Sequence, residues 1–238
     1  MKSVFLSACV LTMMLPAIAT TQPAPSQPVP SQPVPSQPMY VVAYVDVLAS
    51  AAARAAASLR QYRGASRSEP GALRIDVYSQ SGRASGFAIV EAWRDGAAYE
   101  AHAKSAAIEQ LRGDLNPLQL APMDVRVQSA YSLRPGMGEG KNAMTLLVHV
   151  DVIPTFLADY ERIAKNYIEG TRGESGLLGL DVLQTLPPHT NHLTVVEKWV
   201  DATALEAHQR AATARTYREA LNPMLGALYD ERIYRKLD

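Results

Sequence analysis

From residue 39 onward the chain alternates between two kinds of apolar pattern. Tyr40–Leu48 and Thr145–Ile153 are runs rich in β-branched and aromatic residues and predict strands. After the second run, Pro154 is placed to open a helix at its first turn. Phe156, Leu157, Tyr160, Ile163, Ala164 and Tyr167 then fall on one helical face. The matching stretch after the first run, Ala51–Ser58, is alanine-rich and predicts a helix with a shallower apolar face. Gly71 and Gly176 precede second strands, Ala72–Ser79 and Leu177–Gln184. Phe87–Trp93 and Leu193–Trp199 read as third strands. Asp95 and Asp201 suit the N-caps of second helices that run to near Pro117 and Pro223. Asp124–Tyr131 and Asp230–Arg235 close the pattern as fourth strands.

The same order, βαββαβ, therefore occurs twice, and the residues repeat with it. At a shift of 105, Met39, Val45-Asp46-Val47, Tyr62, Arg67, Glu69, Gly71, Leu73 and Asp76-Val77 have identical partners. From residue 87 the shift is 106. Glu91-x-Trp93-x-Asp95 matches Glu197-x-Trp199-x-Asp201, and Glu100-Ala101-His102 matches Glu206-Ala207-His208. The one-residue slip falls between the second and third strands, which predicts a turn there. Arg134–Ala143, with three glycines and a proline, separates the copies. The organisation expected is a first domain over 39–132, a linker over 133–143 and a second domain over 144–238. The fold class is α+β: two ferredoxin-like domains, each with both helices on one face of an antiparallel sheet. The bare faces can cover each other within one chain, giving a pseudo-dimeric α/β barrel with a barrel-like cavity between the sheets, open to further homo-oligomerisation.

Composition changes the picture mainly at the N-terminus. Lys2, the apolar run Val4–Leu15 and Ala17-Ile18-Ala19 read as a signal peptide over residues 1–19, which implies a periplasmic or secreted protein. The apolar run is too short for a membrane span. Cys9 follows a lipobox-like Leu6-Ser7-Ala8, but only three apolar residues precede that box, so cleavage after Ala19 is the expectation. The mature chain then has no cysteine, which suits an oxidising compartment and excludes disulfides and thiolate chemistry. Residues 20–38 repeat Pro-Ser-Gln-Pro-Val and predict an extended polyproline II spacer of roughly 60 Å. The 23 basic residues balance 23 acidic ones, which argues against a nucleic-acid partner.

A βαββαβ unit with Glu-x-Trp ending strand three, and a His nine residues past the Trp on helix two, resembles the antibiotic biosynthesis monooxygenase (ABM) domain of the dimeric α/β-barrel group. Glu91-Ala92-Trp93 with Ala101-His102, and Glu197-Lys198-Trp199 with Ala207-His208, carry the resemblance in both copies. It implies oxidation of a quinol or polycyclic phenol by O₂ with no metal, flavin or other cofactor. The protein would deprotonate the substrate and hold the anion in a dry cavity. Many relatives carry a second His on helix two. Here Ser105-Ala106-Ala107-Ile108 and Ala211-Ala212-Thr213-Ala214 have none. Haem-degrading relatives add a strand-one Asn, which is also missing here. A non-catalytic module for a small aromatic ligand is the alternative from a different class.

Trp93 and Trp199 are the expected aromatic walls, sharing a strand face with Glu91 and Glu197. His102 and His208 lie on the apolar stripe of helix two as candidate bases, with a purely structural role as the competing reading. His149 breaks the internal symmetry, since its partner is Tyr44, and each precedes an aspartate by two residues (Asp151 and Asp46). His149 with Asp151 is therefore a candidate acid/base set, with a solvent-facing strand residue as the competing reading. With its fuller helix-one face, the second copy is expected to wall the better site. His189 and His192 form a His-x-x-His pair without a third ligand in sequence, so no metal site is expected.

Overall fold

The computed structural model describes residues 35–134 and 140–238. The stretch expected to be a signal peptide (1–19), the expected linker as far as residue 34, and residues 135–139 between the copies lie outside the described residues. No helix among the described residues is long and apolar enough to cross a membrane.

The first repeat runs β1 (Met39–Asp46), α1 (Ala52–Ser66), β2 (Ala72–Gln80), β3 (Gly86–Trp93), α2 (Gly96–His102), α3 (Ala106–Leu115) and β4 (Asp124–Arg134). The second runs β5 (Met144–Asp151), α4 (Leu157–Thr171), β6 (Leu177–Thr185), β7 (His192–Trp199), α5 (Ala202–Arg210), α6 (Ala212–Leu221) and β8 (Asp230–Lys236). A 3-10 turn over Pro154–Phe156 leads into α4, as the proline predicts. Asp95 and Asp201 cap α2 and α5 by accepting from the backbone N–H of Ala98 at 2.8 Å and Ala204 at 2.9 Å. The single second helix expected in each copy is instead two short helices. The backbone turns extended at Ser105 (ψ 157°) and Ala211 (ψ 150°). At the first break the Ser105 hydroxyl accepts from the N–H of Ile108, a cap that starts α3.

All strand pairs are antiparallel, and they close into one barrel in the order β1-β3-β2-β8-β5-β7-β6-β4. Each repeat supplies four neighbouring strands. The seams are made by the last strand of each copy meeting the second strand of the other. Asp124–Gln128 of β4 pairs with β1, and Gln128–Arg134 continues onto β6. This second partnership explains why β4 runs to Arg134, past the Tyr131 expected. At the other seam Tyr78–Gln80 of β2 pairs with Tyr234–Lys236 of β8. The turn glycines Gly71 (φ +89°) and Gly176 (φ +84°) each bring β2 or β6 against the following helix. A Cβ there would lie 2.5 Å from Ala98 Cβ and 2.6 Å from Ala204 Cβ, respectively.

The pleat sorts side chains into three layers. Val41, Ala43 and Val45 of β1 face α1 and α3, in a core with Leu59, Ile89 and Trp93. Leu146, Val148 and Val150 of β5 build the equivalent core with Tyr160, Ile163 and Trp199. The third layer is the barrel interior, and it is filled. Tyr40, Val42, Tyr44, Leu147, Val196 and Tyr234 pack together there. The middle of the cavity expected between the sheets is therefore occupied by apolar side chains, because the two faces carry bulky aromatics that interdigitate. The space left lies at one mouth, where Tyr40, Ala92 and Val196 still line it.

A second repeat produced alone, residues 144–238, would bare its lumen face and leave β6 and β8 without outer partners. It is expected to dimerise or aggregate, whereas the full chain should show no need of a second copy to stay soluble. Light scattering after size exclusion checks both, and a stable monomeric single repeat would contradict this account.

One barrel mouth is charged. It opens into a pocket of about 700 Å³ between Arg74, Asp76, Asp181 and Lys198. Arg74 binds Asp76 at 2.7 Å and Asp181 at 3.0 Å, and Lys198 reaches Asp76 at 3.3 Å. Burial acts to raise the Asp76 pKa, but Arg74, Lys198 and Lys236 outweigh it and hold the carboxyl at about 2, below the ordinary 3.8. Because the folded value is depressed, the stabilisation is present above the unfolded pKa and is lost as pH falls towards 2. A shift of this size corresponds to about 2 kcal/mol. Asp76→Asn should therefore destabilise by about 2 kcal/mol in urea unfolding at pH 6, with the deficit vanishing near pH 2. A deficit that stays constant across that range would show that the charge is not the cause.

Candidate active site

Glu91, Trp93 and His102 meet on the helix side of the first sheet, and Glu197, Trp199 and His208 meet on the helix side of the second. Alternation along β3 and β7 points each Glu–Trp pair at the helices. In the first repeat the Glu91 carboxylate accepts from Trp93 Nε1 at 2.9 Å and from the Tyr62 hydroxyl. Tyr62 Oη also lies 2.9 Å from His102 Nε2. His102 Nδ1 faces Glu69 at 2.9 Å, and the Ser105 hydroxyl donates to the same carboxylate at 3.1 Å. The His102 ring stacks on Trp93, with centroids 4.2 Å apart. The result is one continuous chain, Glu69–His102–Tyr62–Glu91–Trp93, almost wholly out of water.

The second repeat reproduces it. Glu197 accepts from Trp199 Nε1 at 2.9 Å and from the Tyr167 hydroxyl. Tyr167 lies 3.2 Å from His208 Nε2, and Glu174 lies 2.8 Å from His208 Nδ1. Burial pushes the Tyr62 pKa far up, with the Glu91 charge adding to it, and Tyr167 is raised in the same way by burial and Glu197. Glu197 is itself raised by burial, against the pull of His208. Neither tyrosine is poised to ionise near neutral pH. Each instead passes a hydrogen bond between its histidine and its buried carboxylate.

Sequence reasoning found three members of each cluster and missed two, Tyr62 with Glu69 and Tyr167 with Glu174. Their signal was present, since both pairs are identical between the repeats. His149 is not brought to either cluster. It points from β5 towards the barrel interior and lies 2.8 Å from Asp151.

The repeats differ in the space beside the cluster. In the first, a cavity of about 40 Å³ touches Tyr62, Glu91 and His102, and Tyr99, Arg112 and Met123 line its outer part. In the second, the residues matching Ala103, Met123 and Val125 are Gln209, Tyr229 and Glu231, and Gln209 donates to Glu231 across the place where the first cavity opens. Tyr217, at the position of Leu111, stacks on Tyr167 at 4.2 Å. The larger side chains of the second copy thus fill the space rather than wall it. The expectation that the second copy holds the better cavity is reversed, because greater side-chain volume at a fixed backbone separation removes room.

A family model described as antibiotic biosynthesis monooxygenase matches residues 38–113 and again 143–220. The chain belongs to the ABM family. The tandem arrangement also has counterparts among solved structures. A candidate monooxygenase from Fusobacterium nucleatum is 18% identical, with a TM-score of 0.75, covering 85% of this chain and 94% of that one. A candidate monooxygenase from Lactobacillus acidophilus (13% identical, TM-score 0.68) covers 85% of this chain and 95% of its own. An anthrone oxidase-like protein (11% identical, TM-score 0.68) covers 86% and 94%. At these identities the likeness is one of fold. No curated protein matches the chain in sequence. The ABM pair accordingly forms an intrachain pseudo-dimer, with one polar cluster in each half.

Proposed function

We propose that this ABM protein is an exported, cofactor-independent monooxygenase that oxidises a quinol or polycyclic phenol with O₂, and that the first repeat is its working half. The observation that carries the reading is the first-repeat cavity, which ends on the hydrogen-bonded Tyr62–Glu91–His102 set while its twin is plugged. A phenol entering past Tyr99 and Met123 brings its hydroxyl towards His102 and Tyr62. The Arg112 guanidinium at the rim offers a positive charge to the developing phenolate. Val41, Ala43, Ile89 and Ile108 line the cavity with apolar surface and exclude water, so the anion stays electron-rich. Trp93 lies behind them, stacked on His102. The anion then gives electrons to O₂ directly. For an anthrone, a CH₂ becomes a carbonyl, one oxygen atom enters the product and the other leaves as water.

About 40 Å³ suits one O₂ or one or two waters. A bicyclic ring enters only when the Met123 and Tyr99 side chains turn outward. The small resting volume also favours the second reading, a module that binds a small aromatic molecule without turning it over. O₂ consumption with anthrone or a naphthohydroquinone, measured above the rate in buffer alone, separates the two. Turnover that persists after chelation and without added flavin supports the monooxygenase. Saturable binding without O₂ uptake leaves the binding module.

A further inference from the structure

The turn between β6 and β7 places His192 against the end of β5. His192 and Asp151 are direct cross-strand partners. His149, two residues before Asp151, points to the same side of the strand. Asp151 Oδ1 lies 2.8 Å from His149 Nε2 and 2.6 Å from His192 Nδ1. That oxygen is buried yet receives no hydrogen bond of acceptable geometry, and His149 Nδ1 is likewise buried without a partner. Two imidazole nitrogens and one carboxylate oxygen thus converge within 4.8 Å of one another.

We infer that His149, Asp151 and His192 form a site for one divalent ion from the nickel–copper–zinc end of the first transition row. Two imidazoles and a carboxylate are the donor set such ions prefer, and calcium or magnesium would ask for more oxygens. In tetrahedral geometry an ion about 2.1 Å from each ligand asks neighbouring donors to stand about 3.4 Å apart. The 2.8 and 2.6 Å separations need to open by about 0.6–0.8 Å, a shift that a side-chain rotation of the partly exposed His192 can supply. Three protein ligands leave a coordination position for water or an anion. The His-x-x-His spacing of His189 and His192 does not define the site. The fold supplies His149 and Asp151, which no local sequence pattern joins to His192. The first repeat has Tyr44, Asp46 and Gly86 at the matching positions, so among the described residues this donor set occurs once. It is independent of the Tyr62–Glu91–His102 cluster, and its failure would leave the monooxygenase reading untouched.

The test is Zn²⁺ titration of tag-free, chelator-treated full chain by calorimetry, with Co²⁺ absorption in the visible as a second readout. One ion per chain is expected. His149→Tyr, which imports the first-repeat residue, Asp151→Asn and His192→Ala should each weaken binding at least about 10-fold, the lower range seen even for residues that only support ligands. His189→Ala should change it less than about threefold. His192 is partly exposed, so its loss should leave the fold intact by circular dichroism and keep the test decisive. No saturable binding, more than one ion per chain, or loss with His189→Ala but not with His149→Tyr would overturn the assignment.

Discussion

Tyr62→Phe and His102→Ala should each lower O₂ consumption with a quinol or anthrone by on the order of 100-fold or more, the range for loss of a positioned proton-transfer group. Tyr167→Phe and His208→Ala should leave it within about threefold. The asymmetry follows from access and not from chemistry. Both clusters share the hydrogen-bonded chain from carboxylate through His and Tyr to Glu and Trp, with Ser105 adding one bond to Glu69 in the first. The first, however, borders an open cavity, while Gln209 and Glu231 close the matching space in the second. Tyr62→Phe removes the hydroxyl that bridges His102 and Glu91, leaving them only a direct 3.6 Å approach, and leaves the indole of Trp93 with its carboxylate partner. The fold should therefore survive, and the lost rate can be read as lost chemistry. The measurement is oxygen-electrode kinetics on variants matched for thermal stability. Equal losses in both repeats would mean two working sites. Losses confined to the second repeat would overturn the placement of the site.

Glu197→Ala should be among the most destabilising single changes in the chain, at about 3–5 kcal/mol. Glu197 is wholly buried and accepts hydrogen bonds from Trp199 and Tyr167, with His208 Nε2 at 3.4 Å. Its removal strands an indole N–H and a phenol O–H away from water and leaves a cavity beneath α4. At roughly 2–4 °C per kcal/mol for a chain of this size, the melting temperature should drop by roughly 6–20 °C. Glu197→Gln keeps an acceptor and the volume and should lose less than half of that. Scanning calorimetry decides between them. A drop of under about 2 °C for the alanine variant would mean that the cluster adds little to the fold, and the second copy would lose its claim to a structural role.

The strand and helix order was legible because each element carries its own period, and because the two copies vouch for each other. Asp95 and Asp201, at matching positions, both cap as expected. The broken second helix was harder to read. Ser105 caps α3 through its hydroxyl, but Ala211 makes the same extended turn with no side-chain cap, so no shared residue marks the break. The Glu–Trp–His triads were visible as motifs. Tyr62 stands on α1 and Glu69 in the turn after it, 40 and 33 residues from His102. Repeat identity marked them as special without saying for what. Two readings failed for reasons of volume. Tyr40, Tyr44 and Tyr234 fill the lumen, and Tyr217 and Tyr229 fill the second site, and side-chain size in sequence does not say whether a large residue lines a space or occupies it. The position of His149 was knowable from alternation along its strand, which sends it away from the helices.

A homodimeric barrel carries every substitution twice, so an amino acid that plugs one half plugs the other. Joining both halves in one polypeptide, with β4 and β8 each reaching across to the opposite half, removes that constraint. Gln209 and Glu231 can seal one side while Ala103 and Val125 keep the other open. The two halves can then diverge separately, and a substitution that would close both sites of a symmetric dimer closes one here.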